Sequence, residues 1–335
     1  MIAMRLARPA PIASHPLARV TLPSLVPGPH ELLLRVAACG VCRTDLQLCE
    51  GDLAARLLPI VPGHQVVGRV RAKGDAVTDW REGDRAGIAW LARTCGACAR
   101  CLEGRENLCE TASFTGWDRD GGYATEVLVD ARFALRLPDA FDDLAVAPLL
   151  CGGVIGYRAL KISGIEPGQR LGLYGFGASA LIALQIARHR GCRVFVCTRS
   201  APERARALAL GAEWAGDYDD APPEKLDAAV TFAPAGRVVI AALKALERGG
   251  TVAINAIHLD GIPAFSYDDL WWEKSLRSVA SFTREDAREM LELAAEIPIR
   301  TSFDRFPLRE ANVALERLSR GEIGGAAVLS MSDED

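Results

Sequence analysis

Four of the ten cysteines in this 335-residue chain lie close together, with the spacing Cys-x2-Cys-x2-Cys-x7-Cys, at Cys95, Cys98, Cys101 and Cys109. Four thiolates at such spacing can surround a tetrahedral zinc ion. In a bacterial iron–sulfur run, the fourth cysteine follows after three residues and precedes a proline. Here the last gap is seven residues and Glu110 follows, so the pattern favours zinc. Because four protein ligands leave no open coordination position, we expect a structural ion.

A second group of candidate ligands is spread along the chain. Cys42 lies in the string Gly-Val-Cys-Arg-Thr-Asp, His64 follows Pro-Gly, and Cys151 precedes two glycines. One histidine and two cysteines suit a catalytic zinc with an open fourth position. Each piece alone is weak, because a single cysteine more often packs in a core than binds metal. We interpret Cys39 as a packed core residue rather than a metal ligand.

A third pattern predicts a dinucleotide site. Residues 170–174 form an apolar strand pattern, a Gly-x-Gly-x-x-Ala turn follows, and residues 178–190 have a helical pattern. Glycines let the backbone approach a pyrophosphate, which a helix N-terminus stabilises, and a small third residue allows close helix packing. The predicted cofactor-binding turn comprises Gly175, Phe176, Gly177, Ala178, Ser179 and Ala180.

The end of the next predicted strand bears on the choice of cofactor. An NAD site places an acid about 20 residues beyond the turn, to bind the ribose 2′-hydroxyl. This chain has Thr198, Arg199 and Ser200 there, with Arg204 nearby. These side chains could hold a 2′-phosphate, so NADP(H) is favoured over NAD(H). The alternative is that both arginines are solvated surface residues.

The elements that must position these groups change in character near residue 150. Before it, short runs at 32–36, 66–70 and 123–129 are separated by Gly, Pro and Asp, which indicates antiparallel strands. After it, strands alternate with helices, which predicts an α/β fold with a doubly wound parallel sheet. The predicted pairs are strand 170–174 and helix 178–190, 193–198 and 202–210, and 227–232 and 236–248, followed by strand 251–257.

Further boundaries are predicted in the second half. Gly191 and Gly211 are expected to end the first two of these helices. Amphipathic helices at 284–296 and 308–320 and a strand at 326–330 close the chain.

Composition excludes several classes of protein. The chain is 50% hydrophobic and 24% charged, with a net charge of −4, so a disordered or fibrous protein is not expected. No basic block indicates a nucleic acid or membrane partner. The longest uncharged apolar run, residues 144–155, is shorter than the roughly 20 residues of a spanning helix. Clustered thiols and the absence of a signal-peptide pattern at residues 1–20 predict a cytoplasmic protein.

Taken together, these motifs resemble the zinc-dependent medium-chain alcohol dehydrogenases over essentially the whole chain. The resemblance includes the string at 40–45, the four-cysteine segment, Gly-Gly-Tyr-Ala at 121–124, Cys-Gly-Gly-Val-Ile-Gly-Tyr at 151–157 and the glycine-rich turn. It implies a GroES-like β-rich catalytic domain at 1–152, with a structural zinc lobe at about 90–117. It also implies a Rossmann cofactor domain at 153–282, and a segment at 283–335 that returns to the catalytic domain. The active site would lie in the cleft between the domains.

The resemblance also implies roles for individual residues. It selects Cys42, His64 and Cys151 as ligands of a catalytic zinc, giving two zinc ions per chain. Zinc would activate the substrate oxygen while a hydride passes between substrate and nicotinamide. Thr44 would relay the proton, Asp45 would orient His64, and Arg43 would contact the pyrophosphate. The family's substrate and nicotinamide pocket would include Cys49, Trp90, Phe114, Trp117, Ile155 and Ile257.

Three positions depart from the usual family pattern. Gln47 replaces a relay histidine, and an amide cannot exchange a proton near neutral pH. Gln65 replaces a glutamate and keeps only an oxygen that could ligate zinc transiently. Ile155 replaces a threonine beside the nicotinamide. We therefore expect slower or more pH-sensitive turnover.

The predicted activity is interconversion of small or medium primary alcohols and aldehydes with NAD(P), by a homodimer or homotetramer. One alternative is a reductase for another carbonyl or polyol class. A second is a non-catalytic zinc- and NADP-binding protein, which the Gln47 and Gln65 departures would support.

Overall fold

A computed structural model describes residues 1–332. It divides into two compact units. Unit 1 comprises Met1–Cys151, Thr283–Glu296 and the chain from Thr301 onward, and unit 2 comprises Gly152–Phe282 and Ile297–Arg300. The first division lies one residue before the expected domain boundary, and residues 297–300 group with unit 2 rather than with the returning segment.

The part of unit 1 before residue 152 consists mainly of antiparallel strands. Its strands are β1 (Ile2–Leu6), β2 (Leu17–Thr21), β3 (Glu31–Val41), β4 (Gln65–Lys73), β5 (Arg85–Ile88), β6 (Leu91–Arg93), β7 (Ser113–Phe114), β8 (Glu126–Asp130) and β9 (Leu135–Arg136). Its helices are α1 (Arg43–Glu50), α2 (Ala99–Leu102) and α3 (Asp143–Val146), with 3₁₀ turns at Ile12–Ser14, Glu106–Leu108 and Ala147–Leu150. The strands predicted at 32–36 and 66–70 are confirmed and are longer than expected. The strand predicted from residue 123 begins only at Glu126, because the backbone at 121–123 bonds to residues 61–63 instead.

Unit 2 has the alternating pattern that the sequence predicts. Its elements are α4 (Gly152–Ser163), β10 (Arg170–Tyr174), α5 (Ala178–His189), β11 (Arg193–Cys197), α6 (Ala201–Ala209), β12 (Trp214–Gly216), β13 (Leu226–Thr231), α7 (Gly236–Ala245), β14 (Leu246–Ile254), a 3₁₀ turn at Tyr267–Asp269, and β15 (Ser275–Ser278). The six strands are parallel, in the order β12-β11-β10-β13-β14-β15. This is the doubly wound order of a Rossmann sheet, in which ligands bind at the carboxyl ends of the strands.

Two of the helix ends predicted in unit 2 are confirmed and one is wrong. Gly191 and Gly211 follow helix ends with φ of 81° and 91°, which confirms their predicted role. The helix predicted to reach residue 248 ends at Ala245, so that prediction is wrong at its end. Residues from Leu246 join β14 instead, because Leu246 pairs with Leu226 of the neighbouring strand.

The returning chain completes the main sheet of unit 1. It forms α8 (Arg284–Glu296), β16 (Phe303–Pro307), a 3₁₀ turn at Leu308–Glu310, α9 (Ala311–Ser319) and β17 (Ala326–Ser330). The sheet order is β16-β17-β3-β4-β5-β9, and β8 also pairs with β3. The predicted helix at 284–296 and strand at 326–330 are confirmed, whereas the helix predicted from 308 begins with a 3₁₀ turn. Because β17 pairs antiparallel with β3, the last strand supports the segment that leads into α1.

One helical stretch, Asp143–Ser163, is apolar and long enough to cross a membrane by length and composition alone. Its most apolar window is 67% buried inside the structure, as in the core helix of a soluble protein.

A partly buried ion pair joins the four-cysteine segment to the start of α8. The Glu106 carboxylate accepts hydrogen bonds from Arg284 at its backbone nitrogen (2.8 Å), Nε (3.0 Å) and Nη2 (2.6 Å). The Glu106 side chain is 9% exposed, and the guanidinium also stacks over Phe133. Such a two-pronged charged contact is stronger than a surface ion pair.

We expect Glu106→Gln to lower the free energy of unfolding by about 1–3 kcal/mol, because the amide keeps the shape but loses the charged hydrogen bonds. Burial alone would raise the pKa of Glu106, but the Arg284 hydrogen bonds outweigh it and lower the pKa. The stabilisation is therefore complete above the ordinary glutamate pKa and is lost as pH falls through the lowered value.

Urea unfolding at neutral and acid pH measures this effect. The matched control is Glu103→Gln, which removes an exposed carboxylate from the same segment. Equal losses in both variants, or a Glu106 effect that does not shrink in acid, would contradict the interpretation.

Candidate catalytic and structural metal sites

Three segments of unit 1 bring the candidate ligands together. Cys42 follows β3 and caps the N-terminus of α1. His64 precedes β4, after Gly63, whose φ of 97° favours glycine. Cys151 follows the 3₁₀ turn that ends at Leu150. The ligand atoms of all three residues lie within 4.8 Å of one another.

The spacing of these atoms fits zinc. The sulfurs of Cys42 and Cys151 are 3.9 Å apart, whereas a disulfide would require about 2.05 Å. Zn–S bonds of about 2.3 Å in a tetrahedron place two sulfurs about 3.8 Å apart. Two sulfurs and one imidazole nitrogen occupy three positions and leave a fourth for another ligand. The Cys₂His set therefore has the composition of a catalytic rather than a closed site.

The Asp45 carboxylate lies at the centre of this arrangement and is 2% exposed. Its Oδ1 accepts hydrogen bonds from the backbone nitrogen of Gly63 (3.1 Å) and from Nδ1 of His64 (3.2 Å). Its Oδ2 accepts from the backbone nitrogen of Cys42 (2.9 Å). Asp45 thus fixes the starts of two ligand segments and directs the other ring nitrogen of His64 to a metal.

The charges of the group are strongly coupled. The hydrogen bond from Cys151 is the main cause that holds the pKa of Cys42 well below its ordinary value, and the same contact raises the pKa of Cys151. Burial alone would lower the pKa of His64, but Asp45 raises it to about 10. Binding of a metal ion to two thiolates and a neutral imidazole is therefore coupled to release of the protons that these groups hold.

The four-cysteine segment forms a second cluster. Its sulfurs are 3.6–3.9 Å apart along the pairs Cys98–Cys101, Cys95–Cys109 and Cys95–Cys101. Backbone nitrogens of Ala97 and Cys98 point at the Cys95 sulfur and lower its pKa. Four sulfurs at these distances also fit a tetrahedral ion, and their set leaves no open position.

Aromatic rings line one side of the candidate catalytic site. Trp90 lies with its ring centroid 6.4 Å from that of His64 and stacks on Phe114 at 4.3 Å and on Trp117 at 5.8 Å. Nε1 of Trp117 donates to a backbone oxygen, and the Arg56 guanidinium covers its outer face at 3.7 Å. The structure therefore brings the three predicted aromatic pocket residues into one stack beside a ligand.

Cys49 does not belong to an accessible pocket. Its exposure is 0%, and its carbonyl accepts a hydrogen bond from the backbone nitrogen of Ala10 at 2.8 Å. The expectation that Cys49 lines the substrate pocket is therefore corrected. Ile155, in α4, is half-buried, and Ile257, after β14, is 48% exposed; both belong to unit 2.

The remaining predicted residues of this region lie on or beside α1. Thr44 is half-buried, with its Oγ1 3.7 Å from the Cys42 sulfur, and Arg43 is exposed at the first helical position. Gln47 is only 8% exposed, yet its Oε1 has no hydrogen-bond partner within residues 1–332. Gln65 is buried, and its side chain packs so closely on Gly40 that a Cβ there would lie 2.6 Å from Oε1.

The glycine-rich turn of unit 2 has the geometry of an anion site. Gly175 has a φ of 92° and packs against the backbone at Ala233. Gly177 is exposed, caps α5 and has open space around it. Ala180 is fully buried, as expected for close packing of the helix on the sheet. Phe176 is buried, and Ala178 and Ser179 are half-buried in the first turn of α5.

The side chains at the end of β11 have different surroundings from those expected for a 2′-phosphate site. Arg199 is exposed, but Thr198 is buried and its hydroxyl donates to Glu203 at 2.6 Å. Ser200 caps α6, and Arg204 is held by the carbonyls of Thr198 and Arg199. An acid therefore does approach this strand end, from the third residue of α6. Ser200-x-x-Glu203 is a capping-box spacing, so this carboxylate could have been placed near the strand end from sequence.

Comparisons with known proteins agree with this architecture. The family model of the alcohol dehydrogenase GroES-like domain matches residues 28–139, and that of the zinc-binding dehydrogenase matches residues 180–296. A Mycobacterium tuberculosis protein described as a probable alcohol dehydrogenase, AdhA, is 50% identical, over 98% of this chain and 97% of its own length.

Two solved structures are similar over nearly the whole chain. A cinnamyl alcohol dehydrogenase from Sorghum bicolor is 26% identical with a TM-score of 0.90, and the match covers 98% of this chain and 97% of that one. A Sinorhizobium meliloti protein described as a zinc-binding dehydrogenase, solved bound to NADP, is 26% identical with a TM-score of 0.83, over 98% of both chains.

The fold and the two clusters of candidate metal ligands define an oxidoreductase of the medium-chain dehydrogenase class. Within that class, the chain belongs to the zinc-type alcohol dehydrogenase family.

Proposed function

We propose that this protein is a zinc-dependent alcohol dehydrogenase and aldehyde reductase, which transfers a hydride between a small or medium primary alcohol or aldehyde and NAD(P). The observation that carries the proposal is the convergence of Cys42, His64 and Cys151 on one point, with a position left for substrate. Unit 1 would be the catalytic domain and unit 2 the cofactor domain.

When bound, zinc supplies Lewis acidity at the substrate oxygen and the nicotinamide supplies or accepts the hydride. The chain's own residues prepare this chemistry. Asp45 keeps the proton of His64 on Nδ1, leaving Nε2 as the ligand. Thr44 lies close to Cys42 and offers a hydroxyl that can accept the alcohol proton. Arg43 is exposed at the start of the same helix, where it can contact an anionic cofactor.

Gln47 offers no route for the proton beyond Thr44. Its orphaned Oε1 can accept a hydrogen bond but cannot carry a proton. The alcohol proton must therefore leave by way of water or a cofactor hydroxyl. Gln65 could enter the coordination sphere transiently through its amide oxygen.

The second proposed zinc is structural and is held by Cys95, Cys98, Cys101 and Cys109. We expect two zinc ions per chain in the purified enzyme. His64→Ala should lose one zinc and all activity while keeping its fold, since the ligand lost belongs to the open site. Cys101→Ser should lose the other zinc and lower the melting temperature.

Elemental analysis, aldehyde-dependent NAD(P)H oxidation and thermal unfolding measure these three properties. Short aldehydes from acetaldehyde to benzaldehyde form the substrate panel. Two zinc ions with bound cofactor but no turnover would favour the non-catalytic alternative. Turnover confined to sugars or polyols would favour the other reductase class.

Cofactor preference rests on Arg199, which is exposed at the end of β11. Its guanidinium could pair with a 2′-phosphate, with Thr198, Ser200 and Arg204 shaping the strand end, so we propose that NADP(H) is preferred. Glu203 is the opposing feature, because an acid can bind an unmodified ribose.

Arg199→Ala should raise the KM for NADPH about tenfold and leave that for NADH unchanged, since hydrogen bonds to a charged group contribute about 1.5–3 kcal/mol. The matched control is Lys244→Ala, at the end of α7, with a side chain 59% exposed. Wild-type preference for NADH, or equal effects on both cofactors, would remove Arg199 from this role.

Substrate size is proposed to depend on Trp90, the ring of the aromatic stack nearest to His64. Trp117, in the same stack, would share this pocket. Trp90→Ala should raise kcat/KM for branched and aromatic substrates relative to ethanol, because the wall beside the ligand recedes. Steady-state kinetics over a chain-length series measures this. Trp80→Ala controls for loss of a buried indole elsewhere in unit 1, and an unchanged profile in Trp90→Ala would contradict the assignment.

A homodimer or homotetramer through unit 2 completes the proposal. β15 is an edge strand, and Tyr267, Trp271 and Trp272, just before it, are 65%, 54% and 46% exposed. An open strand edge beside exposed aromatic rings is typical of a self-association surface. The molar mass measured by light scattering tests this oligomeric state.

Ten free cysteines, six of them in the two clusters of candidate metal ligands, fit a cytoplasmic location.

A further inference from the structure

A tyrosine hydroxyl lies behind the carboxylate that orients the histidine ligand. Tyr123 is 0% exposed, and its OH donates to Oδ2 of Asp45 at 3.2 Å. Oδ1 of the same carboxylate accepts from His64 Nδ1 at 3.2 Å. The three buried groups therefore form a hydrogen-bonded line from the core of unit 1 to the candidate metal site.

The backbone around Tyr123 is fitted to the histidine segment as closely as its side chain is. Backbone nitrogens of residues 121, 122 and 123 donate to the carbonyls of residues 61, 63 and 62. A Cβ on Gly63 would lie 2.3 Å from the Tyr123 ring, and one on Gly121 would lie 2.0 Å from the Gly63 carbonyl. Only glycines allow this approach, so the tyrosine ring is held in place against the turn that carries His64.

The count of donors shows what the hydroxyl adds. Each Asp45 oxygen receives two hydrogen bonds, and the phenol supplies one of the two on Oδ2, beside the Cys42 backbone nitrogen. Burial, and next the Asp45 charge, raise the pKa of Tyr123 well above its ordinary value, so the phenol remains a neutral donor. Without it, Oδ2 keeps one donor, and the carboxylate can turn away from the His64 ring.

We propose that Tyr123 is a positioning residue of the catalytic metal centre, acting through Asp45 on the orientation of His64. The inference rests on the proposed function in one respect, that Cys42, His64 and Cys151 bind a metal ion. It assigns to the Gly-Gly-Tyr segment a part in metal retention that extends beyond packing.

Tyr123→Phe tests the proposal because it removes the oxygen and keeps the ring. In cobalt-substituted protein, we expect the visible absorption bands of the catalytic site to shift. We also expect a chelator to remove that ion about tenfold faster, in line with the effect of altering an outer hydrogen-bond partner of a ligand. The ion in the four-cysteine cluster is an internal control, and its release rate should not change.

Tyr174→Phe is the matched control, since it removes a hydroxyl from another tyrosine that is 1% exposed, in unit 2. It should change neither release rate nor the cobalt bands. A double-mutant cycle with Asp45→Asn then separates action through the carboxylate from general loosening. If Tyr123 acts through Asp45, adding Tyr123→Phe to Asp45→Asn should produce little further change in release rate.

Three results would overturn the inference: unchanged cobalt bands and release rate in Tyr123→Phe, faster release from both sites, or fully additive effects in the cycle. Failure of the proposed function has a different signature. In that case the wild-type protein itself would hold only one metal ion, in the four-cysteine cluster, and Tyr123→Phe would have no second site to disturb.

Discussion

The candidate catalytic site depends on one buried carboxylate. Asp45 is 2% exposed and accepts four hydrogen bonds, from two backbone nitrogens, an imidazole and a phenol. An ionised carboxylate without such partners would be expensive to bury. Because three of its four donors lie in the segments of Cys42 and His64, satisfying this charge also brings two ligands to one place. The requirement of a single side chain thereby sets the arrangement of three chain segments.

The two clusters of candidate metal ligands differ in how their residues are brought together. In the four-cysteine cluster, all ligands come from residues 95–109, so closing the site orders only a short loop. In the other cluster, Cys42 and Cys151 are separated by 109 positions and can meet only after unit 1 has folded. The first cluster can therefore assemble locally, whereas the second depends on the main sheet, on the Gly121–Tyr123 segment and on Asp45. This difference agrees with a structural role for one and a catalytic role for the other.

Sequence patterns predicted those parts of the fold in which the determining contacts are local. The cysteine spacing, the glycine-rich turn and the alternation of strands and helices in unit 2 all depend on neighbours within a few residues, and the corresponding elements are present. The end of α7 was missed because Leu246 pairs with Leu226 in another strand, a contact that helical periodicity cannot indicate. The Glu106–Arg284 pair joins positions 178 apart and has no local signal. Cys49 was misplaced because family position does not reveal burial at 0% exposure.

Two polar groups near the candidate catalytic site, Tyr123 and Gln47, have contacts that the sequence motifs did not predict. Tyr123 was visible only as part of a string, and its contact with Asp45 depends on two glycines, Gly63 and Gly121, that let the two chain segments approach closely. Gln47 shows the reverse case, in which the departure was visible but its consequence was not. Its buried Oε1 has no hydrogen-bond partner in the described part of the chain, and such an atom costs free energy unless a bound group donates to it. An amide there can hold a hydroxyl of a bound molecule, which a relay histidine would instead protonate and deprotonate. At this position the chain therefore has a group suited to binding and has no proton carrier.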